Sequence, residues 1–151
     1  ARELNTIASA NSSTYYFSFS TANTRLDTAS GFHTPDETMS LILRANARLM
    51  GKKKAYWADG SVTDSTWFEN DGIVNTISQS GPTTGLNGAD PIAEYRSDEL
   101  LIPGQWYHIK TINMDHKVPL GHGLNDELAI QEMLKLLDDH CNVLWSLPPK
   151  E

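Results

Sequence analysis

The sequence has 151 residues, 39% of them hydrophobic, and a net charge of -7, with a pI near 5.1. That composition suits one folded domain spanning residues 1–151 and excludes disordered, collagenous and coiled-coil chains. The acidic balance excludes nucleic acid as a partner, because phosphate binding needs a basic surface. Every apolar run is too short for a transmembrane helix. A single cysteine, Cys141, permits no internal disulfide and no zinc cluster, and its apolar helical neighbours predict a buried, inert thiol. Ala1 to Asn5 shows neither an initiator Met nor a signal-peptide pattern, which fits a chain whose true beginning lies elsewhere.

In chain order, Arg2 to Ala10 predicts the tail of a helix, with Leu4, Ile7 and Ala8 on one face. Thr14 to Thr21 is aromatic-rich and bounded by turn formers. It predicts a strand that is apolar on both faces, as in a covered parallel sheet. The polar stretch to Phe32 reads as a loop. Thr34-Pro35-Asp36-Glu37 predicts a helix start, with Thr34 as cap, Pro35 at the first helical position and Glu37 closing a capping box. Met39, Ile42, Leu43, Leu49 and Met50 recur at helical spacing, and Gly51 suits the C-cap. Lys52, Lys53 and Lys54 beyond it read as a solvated helix end near the negative pole of the dipole, with contact to an anionic lipid surface as the other reading.

Trp67-Phe68-Glu69-Asn70-Asp71-Gly72 reads as a turn, and Ile73 to Ile77 as a short apolar stretch. Gly81-Pro82 opens a loop to about Asp90. Leu100 to Ile102 precede a Pro103-Gly104 turn, and Trp106 to Ile112 predicts a second strand with Asp115-His116 past its C-terminal end. Asn125 caps a last helix whose apolar stripe is Ile130, Met133, Leu134, Leu137, Cys141 and Leu144, ended by Pro148-Pro149. No repeat and no linker is visible. Strands separated by helices predict α/β architecture, yet two main strands with packed helices cannot make a stable doubly wound sheet. Most of the sheet should therefore come from elsewhere.

A carboxylate in a turn and a histidine at the carboxyl end of a strand are parts that a hydroxyl nucleophile needs. Asp71 and His116 supply that pattern. Spacing alone leaves the plainer reading open, since Asn-Asp-Gly is a common turn and Asp115-His116 suits an ordinary loop pair. Asp115 would then fix the loop backbone. His33, His108, His122 and His140 share no metal-ligand spacing and read as surface or loop histidines. Trp67, Trp106 and Trp145 read as packing residues at element ends or in the core.

Thr14 to Thr21 resembles the strand that follows the lid region in the staphylococcal and thermophilic-bacillus lipase family, and Ala1 to Asn5 the helix end before it. Trp67 to Ser78, with Gly81-Pro82 after it, is similar to that family's acid segment almost residue for residue. Pro103-Gly104-Gln105-Trp106, Asp115-His116 and Gly121 resemble its last strand and histidine loop. The likeness is weakest between Ala22 and Thr66. It implies the C-terminal portion of an α/β-hydrolase, incomplete without an N-terminal portion on the same polypeptide or a separate chain. It further implies a secreted triacylglycerol lipase acting on lipid or ester substrates, with transient contact at a lipid interface.

In that resemblance Asp71 is the triad acid and His116 the triad base. The family's nucleophile is the serine of a Gly-x-Ser-x-Gly elbow, and no such motif occurs here. The serine and oxyanion hole would then come from the preceding portion. The family's calcium is not required for catalysis, and this chain has Val118 and Gly123 where carboxylate ligands would stand, leaving Thr38 to offer one carbonyl and Asp126 as a substitute. The family's zinc ligands lie mostly upstream. A non-catalytic binding protein or inactive remnant on the same scaffold is the competing reading.

Overall fold

The computed structural model describes residues 10–82, 92–121 and 127–148. The expected N-terminal helix tail, most of the loop after Pro82, His122, Gly123, Asn125 and Asp126 lie outside them. The chain divides into two compact units, residues 1–115 and 116–151.

The first unit holds strands β1 (Tyr16–Ala22), β2 (Thr24–Asp27) and β3 (Phe32–Pro35), helix α1 (Leu41–Met50), and strands β4 (Ile92–Glu94) and β5 (Trp106–Asn113). Both expected strands are present and run parallel as neighbours, in a sheet of order β1-β5-β4. Their aromatic content does the packing that strand propensity reflects. The rings of the paired residues Tyr16 and Trp106 stack with centroids 4.8 Å apart. Phe17 stacks on its partner Tyr107 and meets Tyr95 edge-on. The register shifts between Ser18 and Phe19 and then runs on to Ala22 opposite Asn113. Strand β4, parallel to β5, is an addition to the expected pair.

Two expectations between Ala22 and Met50 are corrected. The stretch read as loop is an antiparallel hairpin of β2 and β3, and Thr34 and Pro35 belong to β3, where they face Arg25 and Thr24. Helix α1 starts at Leu41, with Ser40 at the N-cap making no side-chain cap bond. Proline at the end of β3 gives up a donor that this short hairpin does not need. Asp36 then caps a turn, its Oδ1 accepting from the Thr38 amide at 3.0 Å and hydroxyl at 2.9 Å. Those bonds hold the Asp36 carboxyl below the ordinary carboxylate range.

The core under α1 is Met39, Leu43 and Ala47, whereas Ile42 and Leu49, expected to join it, are 72% and 50% exposed. Gly51 is the C-cap as expected, with an ordinary helical φ of -64°. Space decides its identity: a Cβ there would lie 2.1 Å from the His33 carbonyl oxygen, and the His33 amide donates to the Gly51 carbonyl at 2.8 Å.

The second unit contains a short 3-10 turn (Val118–Leu120), closed by left-handed Gly121, and helix α2 (Glu127–Trp145). Here the expected stripe is rotated. Among the described positions Ile130, Met133, Leu136, Asp139, His140 and Val143 are the less exposed ones, while Leu134, Leu137, Cys141 and Leu144 are exposed. Cys141 is therefore not buried, and Trp145, at 92% exposure, is not a packing residue. Apolar residues on two adjacent stripes made the buried one ambiguous by spacing alone. Among the described residues, no helix is long and apolar enough to cross a membrane.

Candidate active site

The segment around Asp71 is built by side chains bonding to nearby backbone, as Asp and Asn favour in turns. Asp64 Oδ1 accepts from the Thr66 amide at 3.0 Å and caps a 3-10 turn over Ser65–Trp67. Asn70 is fully buried: its amide group donates to the carbonyls of Phe68 (2.9 Å) and Ala47 (3.2 Å), and its Oδ1 accepts from the Gly72 amide at 2.9 Å. The Asn46 side chain donates to the Gly72 carbonyl at 2.6 Å. Gly72 itself has φ +94°, and a Cβ there would come 2.8 Å from Leu43 Cβ. The turn is thereby seated on α1.

Asp71 has no solvent exposure. Its Oδ1 accepts from the amides of Ile73 at 2.9 Å and Val74 at 2.8 Å. Its Oδ2 accepts from the Thr21 hydroxyl at 2.6 Å and the Gln79 amide group at 3.2 Å. A carboxylate offers only acceptors, so all these donors suit its ionised form. Thr21 and Gln79 are also tied to each other, Gln79 Oε1 accepting from the Thr21 amide at 2.8 Å. Thr21 lies at the C-terminal end of β1, facing Ile112 of β5. The acid thus sits where the carboxyl ends of two parallel strands meet, the usual position for sites in open α/β sheets. Neither Thr21 nor Gln79 was singled out from the sequence. Thr21 closes the expected strand, which is a usable signal; Gln79 carries none.

Past the end of β5, Asp115 is buried at 5% exposure, and its Oδ2 accepts from the Ser40 amide at 2.8 Å. Asp115 does fix backbone, and the backbone it fixes is the N-terminus of α1. His116 follows as the first residue of the second unit and is half-buried. The 3-10 turn over Val118–Leu120 comes directly after it.

Two other histidines stand in strands, His108 within the expected strand and His33 in β3, where no strand was expected. His108 on β5 is half-buried and 2.9 Å from the Ser20 hydroxyl; His33 on β3 is 3.2 Å from the Thr24 hydroxyl. Burial lowers the pKa of each, opposed by Glu94 for His108 and by Glu69 for His33. Among the described residues, no group of three His, Cys, Asp or Glu side chains is placed to hold a metal.

No family model matches the sequence. Among solved structures the chain is similar to EstA from Clostridium botulinum, with 34% identity and a TM-score of 0.72 over 89% of this chain and 31% of that one. It is similar to lipase 1 from Pelosinus fermentans, with 29% identity and a TM-score of 0.66 over 98% of this chain and 37% of that one. In fold it also matches Staphylococcus hyicus lipase, at 21% identity and a TM-score of 0.73 over 94% of this chain and 33% of that one. Over most of its length the chain is therefore similar to one stretch of these bacterial proteins, two of them lipases, and it spans about a third of the length of each.

Proposed function

We propose that the chain is the C-terminal portion of a secreted carboxylic-ester hydrolase of the triacylglycerol-lipase type, with Asp71 as the acid and His116 as the base of a Ser-Asp-His triad. The observation that carries this reading is the buried Asp71 carboxylate, held on both oxygens at the carboxyl end of the sheet. In this reading the serine and oxyanion hole belong to an N-terminal portion, on the same polypeptide or a partner chain. The neighbours' greater length supports that division.

The chemistry is acyl transfer in two halves. The neutral His116 imidazole takes the proton of the serine hydroxyl as its oxygen attacks the ester carbonyl carbon. Collapse of the tetrahedral intermediate breaks the bond to the alcohol, which leaves with the proton from His116. Water then repeats the sequence on the acyl-enzyme, releasing the acid and restoring the serine. Asp71 orients the ring and stabilises the imidazolium. No cofactor is needed, and calcium has no step in this scheme.

In the complete enzyme, His116→Ala should abolish hydrolysis of an ester substrate, and Asp71→Ala should lower kcat on the order of 10⁴-fold, as in the protease triad. Steady-state rates near the parent's in either variant would sink the assignment. A non-catalytic scaffold is the second reading. Failure of a fluorophosphonate to label the complete protein would decide for it.

A further inference from the structure

Asp71 is held differently on its two oxygens. Oδ1 accepts from two backbone amides of its own turn, those of Ile73 and Val74. Oδ2 accepts from two side chains: the Thr21 hydroxyl at the end of β1, and the amide group of Gln79 on a 3-10 turn over Thr76–Gln79. The backbone bonds anchor the acid within its turn. The side-chain bonds are a second, separate hold on one oxygen.

Gln79 is locked at both ends of its amide against the backbone of Thr21. Its Oε1 accepts from the Thr21 amide at 2.8 Å, and its Nε2 donates to the Thr21 carbonyl at 3.1 Å. A reversed side-chain amide would set N–H against N–H and oxygen against oxygen, so only one orientation serves. That orientation aims an Nε2 proton at Asp71 Oδ2, 3.2 Å away. The Thr21 carbonyl also takes the Thr76 hydroxyl at 2.9 Å, which ties the turn bearing Gln79 to β1 a second time. The Thr21 hydroxyl has one proton and two acceptors in reach, Asp71 Oδ2 at 2.6 Å and Gln79 Oε1 at 2.9 Å. It donates to the carboxylate while that group is charged, because a charge-assisted bond is the stronger one. Thr21 is 7% exposed and Asp71 not at all, so bulk water does not level these bonds.

We infer that Thr21 and Gln79 are positioning residues of the proposed triad: by sharing the charge on Asp71 Oδ2 they set how strongly the acid favours the protonated imidazole of His116. The inference rests on the triad reading and adds two residues through which that site is tuned. Two donors on Oδ2 hold part of its charge, so less remains to stabilise an imidazolium. The neutral imidazole is the form that takes the serine proton, and the clamp keeps it populated to lower pH.

The test measures kcat, KM and the pH profile of kcat/KM for p-nitrophenyl butyrate hydrolysis by the complete enzyme. The variants are Thr21→Val, Thr21→Ser, Gln79→Met and Asp71→Ala. Thr21→Val and Gln79→Met nearly keep side-chain size and remove the donor. Each is expected to lower kcat about tenfold, roughly the worth of one hydrogen bond to a charged group, with KM within about twofold of the parent's. Each should also move the acidic limb of the profile up by about half a unit, since the imidazolium gains when Oδ2 regains charge. Thr21→Ser, which keeps the hydroxyl, should retain the parent's kcat and profile. An unmoved acidic limb in both Thr21→Val and Gln79→Met, with the Asp71→Ala rate collapsed, would overturn the inference and leave the triad standing. An Asp71→Ala rate near the parent's would overturn both. Should Thr21→Val fail to fold by circular dichroism, Gln79→Met, at a half-buried position, decides the matter alone.

Discussion

Asp71 and Asp115 are both buried carboxylates that hold backbone amides, but their reach along the chain differs. Asp71 accepts from amides two and three residues ahead, whereas Asp115 accepts from Ser40, 75 residues behind. The first bond pattern builds its own turn from adjacent sequence. The second requires the end of β5 to lie beside the start of α1. Asp71 also has a remote side, since its other oxygen takes the Thr21 hydroxyl 50 residues away. A short-range carboxylate writes structure into the sequence, and a long-range one records structure already formed.

The largest effect that could break this comparison is at Asp71. Asp71→Ala leaves four donors without their acceptor and should cost about 3 kcal/mol in a urea titration. Asp115→Ala removes the partner of one helix-start amide and should cost about 1–2 kcal/mol. Equal losses would show that remote and local anchoring weigh alike. Both titrations belong above pH 6.5, because burial depresses His33 and His108 below that ordinary value. As pH falls, the unfolded chain takes up their protons first. Their contribution is therefore fully present above the unfolded value and is lost as pH drops through the folded one. His108→Gln should accordingly flatten the fall in urea midpoint between about pH 7 and about pH 5, and an unchanged slope would exclude His108 as its source. The smallest effect is expected at Thr34. Thr34→Val should change stability by less than about 0.5 kcal/mol, because Thr34 is a strand residue; a loss of about 1 kcal/mol would restore it as a helix cap.

The same division explains what was legible in the sequence. Strands β1 and β5 declared themselves through aromatic side chains that stack on each other, and the acid turn through Asn70, Asp71 and Gly72, whose bonds are mostly local. The hairpin of β2 and β3 did not, since its two four-residue strands show no clear alternation and its pairing needs Gly51 beneath it. Strand β4 has three residues, too few for a period to show. Thr34-Pro35-Asp36-Glu37 carried every local mark of a helix start, yet the helix waits for Asp115 to supply an acceptor at Ser40. In α2 spacing gave the helix but not its buried side, and so misplaced Cys141 and Trp145. Of the candidate site, Asp71 and His116 were named from the sequence; the Thr21 and Gln79 clamp on the acid was not, because both belong to other elements.

Gly51 joins two segments that have no other reason to vary together. With a Cβ position 2.1 Å from the His33 carbonyl, any other residue would push β3 away from the end of α1. In the history of the family the hairpin and this glycine should therefore be inherited as a pair. A relative that lost the hairpin would be released from the constraint and could fill the position with alanine, and a relative that kept it could not.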